Sequence, residues 1–260
     1  MKLIFFGATQ FSKHVLLNLL DNELTISAVF TIPQEFNISY RREKVKNYNY
    51  SDLELICNEK NIPCYYIESS ESGKKTVDYY DIISEFKPDV ILIMGWYYMV
   101  PQKIRKLARF GAWGIHASLL PDYAGGAPLV WAIINGETET GVTLFRLEDG
   151  VDDGDIIAQE KIVIEEGESI KEVYEKVTDV SKKILIKTLK NIEDIAFIPQ
   201  DKSKIKIYPQ RNPDDGELDL TKSSKDLYDF IRAQSSPYPG AFIKTVDGKK
   251  LIIEKARIED

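Results

Sequence analysis

The alternation of short apolar runs with helically spaced leucine, isoleucine and valine through the first half of the chain most restricts its fold. The opening stretch, MKLIFFGATQFSKHVLLNLLDN, starts as an apolar strand, turns at Gly7 and continues at helical spacing, which makes a βα unit. Apolar runs recur at Ile26 to Thr31, Pro63 to Glu68, Asp89 to Gly95 and Ala112 to Ala117. The helical patterns YSDLELICNEKN, VDYYDIISEF and PQKIRKLARF fall between or after them. Continuous apolar strands separated by helices need cover on both faces. The expectation is an α/β, Rossmann-like, mostly parallel sheet with helices on both faces.

Beyond Ala117, APLVWAIINGE reads as a helix, and GVTLFRLE and DIIAQEKIVI read as paired strands. Ser169 and Glu172 stand at capping-box spacing, and Val173, Val177, Val180 and Ile184 follow at three and four residues, predicting a helix to about Ile192. The polar, turn-rich segment from Pro199 to Leu220 reads as a linker. It leads to a helix, SKDLYDFIRAQ, and two strands joined through Asp247 and Gly248. The expected organisation is a catalytic domain over 1–200 and a small C-terminal α+β module over 201–260. So small a module needs something to pack against.

A net charge of -7 leaves no general basic face for a polyanion. The longest apolar stretch, Asp89 to Val100, is too short to span a bilayer, and the N-terminus lacks a secretory pattern, so a cytoplasmic address is expected, with no membrane partner. Cys57 and Cys64 are the only cysteines and read as free thiols, with no metal site indicated.

There are two histidines. His14 falls on the first predicted helix. His116 ends a predicted strand at the carboxyl edge of the sheet, where open α/β folds bind ligands. The first turn, FFGATQF, lacks G-x-G-x-x-G spacing, and no Walker lysine loop is present, so dinucleotide binding is not expected. The acidic turn LEDGVDDGDI, from Leu147 to Ile156, could bring a carboxylate to His116 and hold it as an acid/base. Spacing alone leaves Asp149, Asp152, Asp153 and Asp155 open.

The stretch GIHASLLPDYAGGAPLVWAIINGETETGVTLFRLEDGVDDGDIIAQ resembles the core of the 10-formyltetrahydrofolate-dependent formyltransferases, a family that includes methionyl-tRNA, sugar-nucleotide and glycinamide-ribonucleotide enzymes. The resemblance extends to IFFGATQFSKHVLLNLL and to GELDLTKSSKDLYDFIRAQSSPYPGAF. It implies His116 and Asp152 as the catalytic pair, with no metal. It also implies 10-formyltetrahydrofolate as formyl donor, lined by Tyr98, Met99 and Val100 on one side and Glu148, Asp149, Gly150, Val151 and Asp152 on the other. The family's catalytic asparagine would stand at position 114, which is Gly114 here.

Among acceptors, the acidic chain, the short C-terminal module and the lack of a basic insertion favour a nucleotide-linked amino-deoxy sugar over nucleic acid, and the resemblance to compact sugar formyltransferases implies a dTDP-linked one. YRREKVK, from Tyr40 to Lys46, is the nearest basic cluster. Methionyl-tRNA formylation is the alternative; a catalytically weak folate-binding relative and a formate-releasing hydrolase are others. Related sugar enzymes often carry arginines where Ala124 and Gly126 stand, so sugar or pyrophosphate recognition must differ in that loop. Lys46, Arg211 and Tyr238 are candidate substrate contacts. The C-terminal strands resemble the dimerisation hairpin of compact sugar formyltransferases, which implies a homodimer.

Overall fold

The computed structural model describes residues 1–37, 44–68 and 73–259. The chain begins β1 (Lys2–Phe6), α1 (Gln10–Asp21), β2 (Thr25–Thr31), β3 (Glu35–Phe36), β4 (Val45–Lys46), α2 (Glu54–Lys60) and β5 (Cys64–Tyr66). It continues α3 (Tyr80–Phe86), β6 (Val90–Ile93), α4 (Gln102–Arg105), β7 (Ala112–His116), β8 (Ala124–Gly125) and α5 (Pro128–Ile134). The remainder is β9 (Glu139–Arg146), β10 (Ile156–Val163), α6 (Ile170–Lys190), β11 (Ile207–Tyr208), α7 (Ser224–Ala233), β12 (Ala241–Lys244) and β13 (Lys250–Ile253).

A seven-stranded sheet runs β10-β9-β7-β6-β1-β2-β5. The strand β1 pairs in parallel with β2 and β6, β2 with β5, and β6 with β7. From β1 the chain steps out through β2 to β5, then returns to the opposite side with β6. The strand order therefore switches between β1 and β6, and ligands in such sheets sit beyond the strand ends at the switch.

The chain forms two compact units. The first comprises Met1–Ile115, Leu144–Asp149 and Leu185–Ile195. Its core draws Phe6 from β1, Phe30 from β2 and Ile91 from β6, all fully buried, and each contributes about 1.5–3 kcal/mol by leaving water. The Phe6 and Phe30 rings stack at 4.7 Å, and Tyr65 stacks on Phe30 at 5.1 Å. Thr9 caps α1 by accepting from the Ser12 amide, while Ser12 Oγ donates to the Met94 carbonyl at the end of β6, tying the helix start to the switch point. The expected helix over 101–110 is shorter, because after Arg105 the chain continues in tight turns, Leu107 bonding Ile104 and Gly111 bonding Ala108. Cys57 and Cys64 are free thiols.

The second unit comprises His116–Thr143, Gly150–Ile184 and Ala196–Asp260. Within it α7 packs against α5, and Leu218, Ile231 and Ala241 form a small cluster with Phe230 beneath the antiparallel β12–β13 hairpin. The segment expected to be a linker is tied down instead. Ile207 and Tyr208 pair in parallel with Ala124 and Gly125. Two residues are too few for a strand to leave a periodicity in sequence.

Candidate active site

His116 ends β7 and is 8% exposed. The turn after it is braced by its own polar atoms. Ser118 Oγ donates to the Asp122 carbonyl at 2.6 Å, and Thr143 Oγ1 donates to the Ser118 carbonyl at 2.7 Å while accepting from the Leu120 amide at 3.0 Å. Gln159 Nε2 reaches both the Leu120 carbonyl and Thr143 Oγ1 at 2.8 Å. So fixed, the turn brings the Tyr123 carbonyl to 2.7 Å from His116 Nε2.

The other ring nitrogen, Nδ1, lies 3.4 Å from Asp152 Oδ2, which also accepts from the Gly125 amide at 2.8 Å. A carbonyl and a carboxylate can only accept. The neutral imidazole satisfies one of its two neighbours and the imidazolium satisfies both.

The acidic turn resolves into separate tasks. Asp149 pairs with Arg105, Asp152 faces His116, and Asp153 receives Lys202 Nζ at 2.7 Å. Asp152 adopts φ +49°, left-handed for a residue with a side chain, at a cost of about 1–2 kcal/mol that its surroundings must offset. Gln200, 8% exposed, donates through Nε2 to the Asp152 and Gly154 carbonyls, both at 2.7 Å.

In the first unit, Tyr98 OH donates to the Asn37 carbonyl at 3.1 Å, and its ring packs edge-on against Phe36 and Trp96. Met99 is 76% exposed and Val100 is buried. Arg105, itself buried, donates from Nε to the Val100 carbonyl at 3.0 Å, from Nη1 to the Leu147 carbonyl and from Nη2 to Asp149, with Glu148 3.9 Å away. One guanidinium thus ties the 98–100 turn to the 147–149 turn. Gly114 lies against Leu147, whose side chain fills the space beside it.

Among the expected substrate contacts, Lys46 lies in β4 with its ammonium over the Tyr48 ring at 5.7 Å. Arg211 stacks on Trp131 at 4.9 Å and Phe230 at 5.4 Å, and its Nη2 donates to the Asp215 carbonyl and to Gln234 Oε1. Tyr238 OH meets Tyr174 OH at 3.1 Å. Residues 40–43 of the basic cluster lie outside the described residues. Burial, with Glu137 accepting from its hydroxyl, raises the Tyr123 phenol above its ordinary value. Among the described residues no three His, Cys, Asp or Glu side chains are grouped to hold a metal.

Sequence reasoning missed Arg105, Gln159 and Gln200. No spacing signals them: Arg105 sits inside an ordinary helical pattern, Gln159 on a half-exposed strand, and Gln200 in a polar stretch.

The formyl transferase family matches residues 1–189, and the formyl transferase C-terminal domain matches residues 211–260. A methionyl-tRNA formyltransferase from Caldanaerobacter subterraneus subsp. tengcongensis is 30% identical over 260 residues, covering 99% of this chain and 81% of that protein. The fold is also that of a sugar N-formyltransferase from a Shewanella species, with a TM-score of 0.73 at 19% identity over 100% of this chain and 99% of that one. WlaRD, a sugar 3N-formyl transferase solved in the presence of dTDP and 5-N-formyl-THF, superposes with a TM-score of 0.65 at 20% identity, covering 90% of this chain and 78% of that one. The mostly parallel sheet, with the small C-terminal strands, defines an α/β transferase fold. The chain belongs to the formyl transferase family, and it is an enzyme of that class. No helix among the described residues is long and apolar enough to cross a membrane.

Proposed function

We propose that this formyltransferase moves the formyl group of 10-formyltetrahydrofolate to the amino group of a nucleotide-linked amino-deoxy sugar, with dTDP as the carrier. The observation that carries the chemistry is the placing of acceptors at both nitrogens of His116, the Tyr123 carbonyl and the Asp152 carboxylate. As the amine bonds to the formyl carbon, its proton is held at His116 Nδ1, and the resulting imidazolium finds both N–H groups matched. The ring returns the proton to the folate nitrogen as the carbon–nitrogen bond breaks. Asp152 orients the ring and balances its charge. Tyr98, Met99 and Val100, with Glu148 and Asp149, line the folate, and Arg105 sets the spacing of the two turns it ties together.

The acceptor reading is supported by the net charge of -7, which disfavours a polyanion, and by the fold match along the full chain to a sugar N-formyltransferase. The 30% identity to a methionyl-tRNA formyltransferase favours the second reading, an aminoacyl-tRNA acceptor. Mass spectrometry after incubation with 10-formyltetrahydrofolate and a panel of dTDP- and UDP-amino sugars, with methionyl-tRNA in parallel, separates the two. The expected result is a formylated dTDP-sugar, lost in His116→Ala and Asp152→Asn by about a hundredfold or more. Formylated methionyl-tRNA alone overturns the acceptor, and formate release without any acceptor overturns transfer.

We further propose that the C-terminal module pairs two copies of the chain in the cytoplasm through its hairpin, where Leu251 and Ile252 are 55% and 42% exposed. A monomer by light scattering at micromolar concentration would count against it.

A further inference from the structure

The carboxylate that faces His116 is held from behind by a side chain distant in sequence. Gln200 lies forty-eight residues after Asp152. Its backbone is set by the neighbouring Ile198, which exchanges two 2.8 Å hydrogen bonds with Ile156 at the start of β10. From there the buried amide points both N–H groups at the carbonyls of Asp152 and Gly154. The orientation of the amide is unambiguous, since two carbonyls can be met only by donors. Its Oε1 accepts nothing among the described residues, so the buried amide gives up one hydrogen bond to make these two. Asp152 meanwhile holds φ +49°, which directs Oδ2 to Gly125 N and His116 Nδ1 together.

We infer that Gln200 is a positioning residue for the reaction: it holds Asp152 in its left-handed conformation and thereby sets the carboxylate against His116. Without the two donations the 152–154 turn relaxes toward an ordinary right-handed conformation, and the carboxylate leaves the ring. Gln200 touches neither His116 nor any reacting group on this account. The inference rests on the proposed role of Asp152, but not on the identity of the acceptor.

The test uses Gln200→Glu, which keeps the size and replaces the donors by acceptors, and Gln200→Leu, which removes both without adding charge. With only two histidines in the chain, nitrogen-15 labelling of histidine gives one signal set for the site and one, from His14, as internal control. The expected result is a changed His116 ring signal with His14 unmoved. With the true acceptor, kcat should fall roughly tenfold to a hundredfold, with a smaller change in KM for the folate. In an Asp152→Asn background Gln200→Leu should remove nothing further, because the two act through one carboxylate. A His116 signal identical to wild type in both variants overturns the inference, as does a lower melting temperature with additive losses in the double variant. If Gln200→Glu does not fold, Gln200→Leu carries the test. If no amine is formylated by the wild-type chain, the formyl-transfer reading fails while the ring signals still decide the role of Gln200.

Discussion

Leu147 fills the space beside Gly114: a Cβ at position 114 would stand 3.0 Å from Leu147 Cδ2 and 3.4 Å from Phe145 Cε1. The family places an amide side chain at that strand position, and here the adjoining strand end supplies an apolar one. The two residues form one packing unit, and neither is freely exchangeable without the other.

Gly114→Asn alone is therefore overpacked and should lose about 1–3 kcal/mol. Gly114→Asn with Leu147→Ala relieves the contact and should recover stability relative to the single variant. If the asparagine amide then meets the developing oxyanion, kcat rises, by up to about a hundredfold for one added donor. Thermal melts and steady-state kinetics on the three variants check both parts. A double variant less stable than the single one would show that Leu147 does not set the space.

Arg105 should prove more consequential than any exposed ion pair in the chain. Arg105→Met leaves the carbonyls of Val100 and Leu147 without their charged donor, a loss of about 2–3 kcal/mol. Asp149→Asn, at an exposed carboxylate, should cost less than about 1 kcal/mol. Urea unfolding distinguishes them, the midpoint shifting strongly for the first and little for the second. A midpoint for Arg105→Met equal to that of Asp149→Asn would refute the bracing role.

At Gly126 an added Cβ would stand 2.4 Å from Gln210 Cα and 2.5 Å from Gln210 N, both main-chain atoms that cannot turn aside. Gly126→Ala should push residues 207–210 away from β8, destabilising by about 1–3 kcal/mol and opening that segment to proteases. Cleavage near Tyr208 under limited proteolysis is the expected result, and an unchanged digestion pattern would contradict it. An arginine at position 126 would meet the same crowding. The segment 207–210 already occupies that space.

Glu172 gives a pH dependence whose sign follows from its hydrogen bonds. Its carboxylate accepts from the Ser169 amide at 2.6 Å and hydroxyl at 2.9 Å, which hold it below the ordinary value of 4.5. The stabilisation is complete above that ordinary value and is lost as pH falls through the lower folded value. Glu172→Gln should thus be less stable at neutral pH, by no more than about 1 kcal/mol at so exposed a site, and equal to wild type in strong acid. A difference that persists in acid would mean the charge is not the cause.

The sheet was legible because β1, β2 and β6 are buried on both faces and must be apolar throughout, and α6 because one stripe of valines and isoleucines faces the core. His116 and Asp152 were legible through their motif, and the structure brings them within 3.4 Å. What remained hidden shares one property. Arg105, Gln159 and Gln200 each donate to main-chain carbonyls, which any residue supplies, so those partners carry no mark in the sequence, and the side-chain partners Asp149 and Thr143 stand at no telling spacing. The pairing of β8 with β11 was hidden for the same reason, being made by backbone alone over two residues.

That pairing limits how the chain can be recombined with its relatives. Ala124 and Ile207 are neighbours in space, and Gln200 donates to the Asp152 carbonyl, so the stretch 198–210 is structurally tied to the turn at Asp152 although it stands late in the sequence. A chimera that takes its C-terminal segment from another family member must splice after Gln210, or import the glycine pair and the glutamine together. Gln200 follows Asp152 by forty-eight residues, with β10 and α6 between them, so a deletion or insertion anywhere in that span need not disturb the turn as long as the two ends still meet.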